Sequence, residues 1–262
     1  MVLSNTEAGV FTLTLNRPEA ANAIGPEQRN LIIDMLHVAG SSPDVRVVVI
    51  RANGRQFCAG ADVSRIGTDS QAAERRAGDI THTLLEGAQR LIAAILDCRK
   101  PVVAAVQGAA AGLGAHLAYA CDLIVASEEA SFIESFVLRG LVVDAGGSYL
   151  LPRRIGMQKA KELAFFGDRL SAVDALALGL VNRVVNAAEL DSTVHAFASR
   201  LAMAPTTAVS LTKELFNRSL DAERATSFMQ EAMAQELNSA THDSKEGVSA
   251  FLARRPPNFK GY

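Results

Sequence analysis

The order of apolar and polar residues predicts a chain that alternates between strands and helices over its first two thirds. From Gly9 to Leu15 apolar and polar positions alternate, which is typical of a strand that is buried on one face. Val45 to Arg51 is rich in β-branched residues, which predicts a second strand. Between them, residues 26–36 begin with proline and carry apolar side chains at helical spacing. Such alternation of strand and helix is typical of an α/β protein.

The elements between residues 80 and 126 continue the alternation of helix and strand, and the pattern becomes mainly helical from about residue 156. A helix is predicted over 80–96, strands over 102–106 and 123–126, and a helix over 112–120 between those strands. Later helices are predicted over 157–165, 172–178, 188–203, 206–219, 221–240 and 244–253, with one short strand over 181–185. The polar, weakly periodic stretch 64–77 is interpreted as a loop. The break at Ala204-Pro205 predicts an α/β core over 1–204 and a helical C-terminal subdomain over 205–262.

Composition and charge exclude several classes of function. The chain has 262 residues, 49% of them hydrophobic, and a formal net charge of −2, which gives no basic footprint for nucleic acid. No apolar run reaches the ~20 residues of a membrane span, and the first residues carry no leader pattern. The three cysteines lack paired spacing and the histidines lack metal-ligand spacing. We expect a cytoplasmic protein with reduced thiols and no metal, binding neither nucleic acid nor membrane.

Two turns of small residues, each following an apolar strand, are the first candidates for chemistry. One is Ala59-Gly60-Ala61-Asp62, and the other runs from Gly108 to Gly114 into an apolar helix. Backbone N–H groups at helix starts lack internal partners, and two converging N–H groups can stabilise one developing oxyanion. Close packing of strand against helix requires the same small residues, so a purely structural role stays open.

The second turn also fits G-x-x-x-G-x-G, the phosphate loop of a dinucleotide-dependent oxidoreductase. Such a loop normally opens the first βα unit of a chain, whereas this one begins after a hundred residues. The Tyr-x-x-x-Lys pair of short-chain oxidoreductases is also missing, because Leu123 follows Tyr119 and Arg153 follows Tyr149 at that spacing. An NAD(P)-dependent oxidoreductase is therefore a remote alternative.

An ordered set of short motifs resembles the crotonase (enoyl-CoA hydratase/isomerase) superfamily over essentially the whole chain. The motifs are Leu15-Asn16-Arg17-Pro18, Ala59-Gly60-Ala61-Asp62, Lys100-Pro101-Val102, Cys121-Asp122, Ala145-Gly146-Gly147, Leu151-Pro152-Arg153, Gly179-Leu180-Val181 and Asn258-Phe259-Lys260. The resemblance implies a crotonase-like spiral of ββα units with a C-terminal helical subdomain that assembles a homotrimer or a dimer of trimers. It also implies an acyl-CoA thioester as substrate and no cofactor, since coenzyme A is part of that substrate.

The resemblance further implies where substrate binds. It assigns the oxyanion donors to the backbone N–H groups of Ala61 and Leu113, where Leu113 replaces the usual glycine. It places further substrate contacts at Ala59, Asp62, Val63, Ser64, Gly112, Phe136 and, for a CoA phosphate, Lys260.

The resemblance also carries a departure that bears on the reaction. The hydratases of this superfamily use two glutamates to add water, but this chain has His116 and Phe136 at the aligned positions. The remaining carboxylate is Asp144, and the isomerases of the ring-opened phenylacetyl-CoA pathway carry a functional aspartate at this point. The departure favours double-bond migration, or isomerisation of a ring-epoxide acyl-CoA, with Asp144 as base.

Alternatives stay open at several of these residues. Asp144 could be an ordinary helix cap, and Cys58 is expected to be a small buried side chain rather than a nucleophile. His116 is a candidate second acid or base, or else a hydrogen-bonded spectator. Glu134 is expected on the surface rather than in place of a missing glutamate. The alternative functions are a hydratase that uses other pocket groups and an acyl-CoA-binding protein without catalytic activity.

Overall fold

The computed structural model describes residues 1–62 and 76–262. Its strands are β1 (Val2–Glu7), β2 (Val10–Leu15), β3 (Val47–Ala52), β4 (Val102–Val106), β5 (Ala109–Ala111), β6 (Leu123–Ser127), β7 (Ser131–Ile133), β8 (Arg169–Ser171) and β9 (Arg183–Val185). Its helices are α1 (Pro26–Ser41), α2 (Asp79–Leu84), α3 (Arg90–Leu96), α4 (Leu113–Ala120), α5 (Gly147–Ile155), α6 (Met157–Phe166), α7 (Ala172–Ala177), α8 (Leu190–Ala202), α9 (Thr206–Ser219), α10 (Arg224–Ser239) and α11 (His242–Leu252). Most of the loop predicted over 64–77 lies outside the described residues. In the part of the chain that the structure describes, no helix has the length and apolar character needed to cross a membrane.

The described strands form two sheets. The larger sheet has the order β1-β2-β3-β4-β6-β9; β1 and β2 are antiparallel, and all later pairs are parallel. The smaller sheet has the order β5-β7-β8. Successive strands β4 and β5 are followed by α4, and β6 and β7 are followed by α5, so two strands precede each helix. This repeat is the ββα spiral expected from the sequence, in an α/β fold.

The alternation of side chains along β3 separates two hydrophobic clusters on opposite faces of the larger sheet. Val48 and Ile50 belong to the main cluster, with residues of α1, α3 and α4. Val47 and Val49 belong to a second cluster, which packs against α8. Successive side chains point to opposite faces of a strand, so the apolar part of β3 is covered on both faces. The structure confirms the strand predicted over residues 45–51, which begins two residues later, at Val47.

The predicted helix over 80–96 is interrupted, and here the prediction was wrong. A π-type segment over Leu85–Gln89 separates α2 from α3, and Gly87 within it has φ −107° and ψ −109°, outside the helical region. A Cβ at Gly87 would lie 2.8 Å from Nη1 of Arg29 on α1. The kink therefore occurs where Gly87 lies against the Arg29 side chain of α1.

Other differences concern short elements and ends. The strands β5, β7 and β8 have three residues each, too few for their period to be seen in a sequence. Helix α1 continues to Ser41, beyond the predicted end at residue 36. The later helices lie within a few residues of their predicted bounds, and α9 matches 206–219 at both ends.

Buried polar contacts attach the C-terminal helices to the rest of the chain. Arg46, which precedes β3, donates from Nε to Oγ1 of Thr206 (2.8 Å) and from Nη1 to the carbonyl oxygen of Phe259 (3.3 Å). Lys213 of α9 lies 2.8 Å from the Asp122 carboxylate at the start of β6.

Candidate active site

A short ladder of backbone hydrogen bonds joins the two small-residue turns. The N–H of Phe57 donates to the carbonyl oxygen of Ala109 (3.1 Å), and the N–H of Ala111 donates to that of Cys58 (2.9 Å). A Cβ at Gly114 would lie 2.3 Å from the same Cys58 oxygen, so only glycine permits this approach. The ladder places the turn after Cys58 beside the start of α4.

Cys58 itself is fully buried in this ladder. Burial raises the pKa of its thiol to about 12, so the thiol is neutral and unreactive at ordinary pH. The expectation of a small buried side chain is confirmed, and this burial disfavours a catalytic thiolate at this position.

The backbone of Gly60 lies next to the N–H of Leu113. A Cβ at Gly60 would lie 3.5 Å from the Leu113 nitrogen and 2.8 Å from the carbonyl oxygen of Ala111. Leu113 is the first residue of α4, where an N–H has no partner within the helix. The positive φ of this turn, 50°, falls on Gly112, so leucine at position 113 keeps ordinary helical angles.

Ala61 contributes the second candidate donor from the facing turn. The residues on either side of it pair with Ile24, because the N–H of Ile24 donates to Gly60 (2.8 Å) and the N–H of Asp62 donates to Ile24 (3.0 Å). The N–H of Ala61 consequently points away from Ile24. Ala61 and Leu113 thus present two N–H groups from neighbouring turns.

The other predicted contacts in the first turn have defined backbone or ion-pair partners. The N–H of Ala59 donates to the carbonyl oxygen of Ala21 (2.9 Å), and Asp62 forms an ion pair with Arg17. Both interactions hold the turn against the segment after β2. Val63 and Ser64 lie outside the described residues.

His116 and Phe136 form a stacked aromatic pair beside α4. Their ring centroids are 5.3 Å apart, with 14° between the planes. The Phe136 ring also lies next to Gly112, at 3.6 Å from the position of a Cβ there. His116 is fully buried. The ring of Phe136 thus contacts both the imidazole and the turn that carries Leu113.

Glu134 is not on the surface, and that expectation was wrong. Its side chain is only 1% exposed, and its Oε2 lies 2.9 Å from Nε2 of His116. Phe132, Glu134 and Phe136 are all buried, although β7 ends at Ile133 and Phe136 already has helical backbone angles. This alternation is visible in the sequence and could have identified Glu134 as an inward-facing carboxylate.

Asp144 lies on the turn before α5 and does not cap this helix. The cap position is Gly146, without a side-chain hydrogen bond, and the N–H of Gly147 donates to the backbone oxygen of Asp144 (2.9 Å). Ala145 and Gly146 both have positive φ, 45° and 77°. Burial raises the pKa of the half-buried Asp144 carboxyl, and nearby His116 opposes this by lowering it. The helix-cap alternative is therefore wrong.

Lys260 belongs to the C-terminal tail. Its backbone N–H donates to Oδ1 of Asp243 (2.6 Å), and its side chain is exposed. Among the described residues, no hydrogen bond or ion pair joins this side chain to the turns above.

Comparison with known proteins agrees with this geometry. The family model for enoyl-CoA hydratase/isomerase matches residues 5–262. The chain belongs to the enoyl-CoA hydratase/isomerase family. The 1,2-epoxyphenylacetyl-CoA isomerase of Escherichia coli is 36% identical over 99% of this chain and 98% of that protein. The crotonyl-CoA hydratase of Syntrophomonas wolfei is 36% identical over 98% and 97%.

Solved structures of this family have the same fold. The crystal structure of an enoyl-CoA hydratase from a Polaromonas species aligns with a TM-score of 0.91 and 36% identity, over 98% of this chain and 99% of that one. The chain is therefore an acyl-CoA enzyme of this family, which includes proteins named as hydratases and as isomerases.

The dinucleotide-loop alternative finds no support in this family or in the packing of the glycines. A Cβ at Gly108 would lie 2.1 Å from the backbone oxygen of Arg55, and Gly114 approaches Cys58 in the same way. These glycines allow two backbone segments to pack together, which explains their spacing without a phosphate ligand.

Proposed function

We propose that this family member moves the double bond of an unsaturated acyl-CoA thioester from the 3 to the 2 position, with Asp144 as the base. The proposal rests on the environment of this carboxyl group, which is half-buried beside His116 and has a pKa raised by burial. A raised pKa brings a carboxylate closer to the operating pH and makes it a stronger base.

The chemistry needs one carboxylate that both takes and returns a proton. Asp144 removes a proton from C2, and the electron pair of that bond delocalises into a dienolate whose charge lies largely on the thioester oxygen. The carboxyl then returns the proton to C4 as the double bond forms between C2 and C3. Substrate and product have the same atoms, so neither water nor a cofactor beyond the CoA of the substrate takes part.

The dienolate requires stabilisation of its oxygen, and the N–H groups of Ala61 and Leu113 are the proposed donors. Removing one such donor typically lowers turnover by about 10²- to 10³-fold. Phe136, which lies beside Gly112, is proposed to contact the acyl group. Ala59, Asp62, Val63 and Ser64 are proposed to line the approach of the CoA moiety.

A ring epoxide of an aryl-acetyl thioester is a second substrate class for the same groups. The relative named 1,2-epoxyphenylacetyl-CoA isomerase supports this class through its 36% identity over nearly the whole chain. An isomerisation also keeps all atoms, and the same carboxylate and N–H donors are proposed to serve it.

Hydration is the second candidate function, because relatives named as hydratases are equally similar. Glu134 and His116 would have to supply its acid and base. Both side chains are almost fully buried and bonded to one another, which leaves little room for a reacting water. This arrangement supports isomerisation over hydration.

The deciding experiment incubates the enzyme with 3-enoyl-CoA and 2-enoyl-CoA of several chain lengths and identifies the products by chromatography and mass. Asp144→Asn should lower isomerisation by about 10²- to 10⁴-fold while acyl-CoA affinity changes little. The matched control is Asp168→Asn, which changes an exposed aspartate.

Three results would contradict the proposal. Near-normal isomerisation by Asp144→Asn would remove the base assigned here. Hydration as the only robust activity would favour the second candidate. Tight acyl-CoA binding without turnover on any substrate would favour a protein that only binds acyl-CoA.

We also propose that residues 205–262 form a helical subdomain, distinct from a core over 1–204, that assembles the chain into a homotrimer or a dimer of trimers. Support comes from large apolar side chains on α9, α10 and α11 that are exposed in a single chain. All three cysteines are free and buried, which supports a reducing, cytoplasmic location.

A further inference from the structure

A buried polar cluster lies behind the proposed catalytic turn. His116 and Glu134 are 0% and 1% exposed and share one hydrogen bond. Tyr119 is one turn along α4 from His116, and burial, with a smaller contribution from nearby Glu134, raises the pKa of its phenol. Nδ1 of His116 has no hydrogen-bond partner within residues 1–62 and 76–262. Burying a carboxylate costs free energy unless it is paired, so the burial of Glu134 calls for an explanation.

The cluster is connected to Asp144 by direct packing. A Cβ at Gly147 would lie 2.2 Å from Cε1 and 2.3 Å from Nε2 of His116, so the imidazole rests on the backbone of Gly147. The N–H of Gly147 in turn donates to the backbone oxygen of Asp144. Phe136 stacks on the imidazole, and Glu134 fixes its Nε2. Phe136, Glu134 and the backbone of Gly147 thus hold the ring next to the turn that carries Asp144.

We propose that Glu134 is a positioning residue for the reaction, which fixes the His116 ring against the Asp144 turn. The inference rests on the proposed function, because it assigns the base role to Asp144. Glu134 acts through His116 and does not touch the substrate.

The electrostatics of Asp144 agree with this role. Burial raises the pKa of Asp144, and His116 lowers it, so the ring limits how far burial can raise it. Of the described elements that pack around the pair, α4 contributes Tyr119 and the turn before α5 contributes Asp144 as titratable groups. The facing side chains of α3, Leu91, Ile92 and Ile95, are apolar.

The test is Glu134→Gln, which keeps the size of the side chain and one hydrogen bond but removes its charge. A neutral amide bonds Nε2 of the ring more weakly than the carboxyl group does, so the ring is held less firmly against Gly147. We expect kcat to fall about 10- to 100-fold from the loosened geometry, with KM nearly unchanged.

The matched control is Glu129→Gln, which makes the same chemical change at an exposed position between β6 and β7 and should leave kcat unchanged. A second variant, His116→Gln with Glu134→Gln, removes the ring that lowers the pKa of Asp144, so the acid limb of its kcat/KM should move to higher pH. Glu134→Gln alone should melt at a temperature close to that of the unmodified enzyme.

The outcomes separate this inference from the proposed function. An unchanged kcat in folded Glu134→Gln, together with loss of activity in Asp144→Asn, would overturn only the positioning role. Full activity in Asp144→Asn would overturn the base assignment first. Loss of the native fold in both glutamine variants would also contradict the inference, because neutral amides of equal size should preserve a cluster that serves positioning alone.

Discussion

The N–H of Ala111 donates a hydrogen bond of 2.9 Å to the carbonyl oxygen of Cys58. This bond joins two segments that are more than fifty residues apart and carry the two proposed oxyanion donors. Because both donors are backbone groups, their position depends on this ladder and on the glycines that permit it. The proposed role requires only the backbone N–H of Leu113, so a leucine side chain at this position is compatible with it.

We predict that Leu113→Pro lowers turnover by about 10²- to 10³-fold, because proline removes the donor N–H. Proline is well accepted at the first position of a helix, and Leu113 occupies that position in α4, so the variant should fold. Turnover of 3-enoyl-CoA by the purified variant, with circular dichroism to verify its fold, is the measurement.

Leu113→Ala is the matched variant, since it shortens the side chain but keeps the N–H. It should lose far less turnover than Leu113→Pro. Equal turnover of the two variants would mean that this N–H is not a donor to the substrate.

The sequence allowed these turns to be predicted because their signals are local. Small residues after an apolar strand mark a close approach of backbones whatever the rest of the chain does, and Gly60 and Gly114 both serve that purpose. Long amphipathic helices such as α9 were predictable for the same reason, since the apolar period repeats several times within one element.

Glu134 shows what sequence reasoning missed. A charged residue is rarely buried, and this prior outweighed the alternation of Phe132, Glu134 and Phe136, which is only three positions long. The partner that permits burial, His116, is eighteen residues earlier and on another element. Composition and periodicity do not report such a pairing.

The raised pKa of Asp144 also predicts a stability effect that depends on pH. Because the folded-state pKa lies above the ordinary value of 3.8, the ionised carboxylate is less stable in the folded chain than in the unfolded chain. This cost is fully present above the folded-state pKa and disappears as the pH falls toward 3.8. Asp144→Asn should therefore raise the melting temperature at pH 7, by about one or two degrees, but not near pH 4.

Thermal melting of both proteins across this pH range is the measurement, with Asp168→Asn as the exposed control. A melting temperature that is lower in Asp144→Asn at every pH would show that Asp144 has a structural role. A gain in stability together with a loss of turnover is the pattern expected of a catalytic carboxylate that burial destabilises.

Lys260 is predicted to contact a CoA phosphate as a point charge. Its backbone is fixed by Asp243, which leaves the exposed ammonium group free to meet an anion. Lys260→Gln should raise KM for an acyl-CoA by about two- to fivefold at low ionic strength, the range expected for an exposed ion pair. The KM for the same acyl group on N-acetylcysteamine, which carries no phosphate, should not change.

Lys245→Gln, at another exposed lysine near the C-terminus, serves as the control. Equal effects of Lys260→Gln on both thioesters would assign the residue to the fold rather than to CoA. High salt should reduce the effect on the CoA substrate, because exposed charges are screened.

The C-terminal helices predict the assembly of the enzyme. Phe251 and Leu252 at the end of α11 are 82% and 76% exposed in the single chain, and exposed apolar patches of this kind mark interaction surfaces. We expect light scattering at micromolar concentration to give three or six chains. Replacing both residues with lysine should shift the population toward monomers, because burying two ammonium groups in an apolar interface is costly.

The matched variant is Val38→Lys, which places one lysine at an exposed apolar position on α1 (66% exposed) and should leave the assembly intact. A strictly monomeric unmodified protein would contradict the prediction, as would a double variant that still forms trimers. Dissociation by Val38→Lys alone would move the interface to α1.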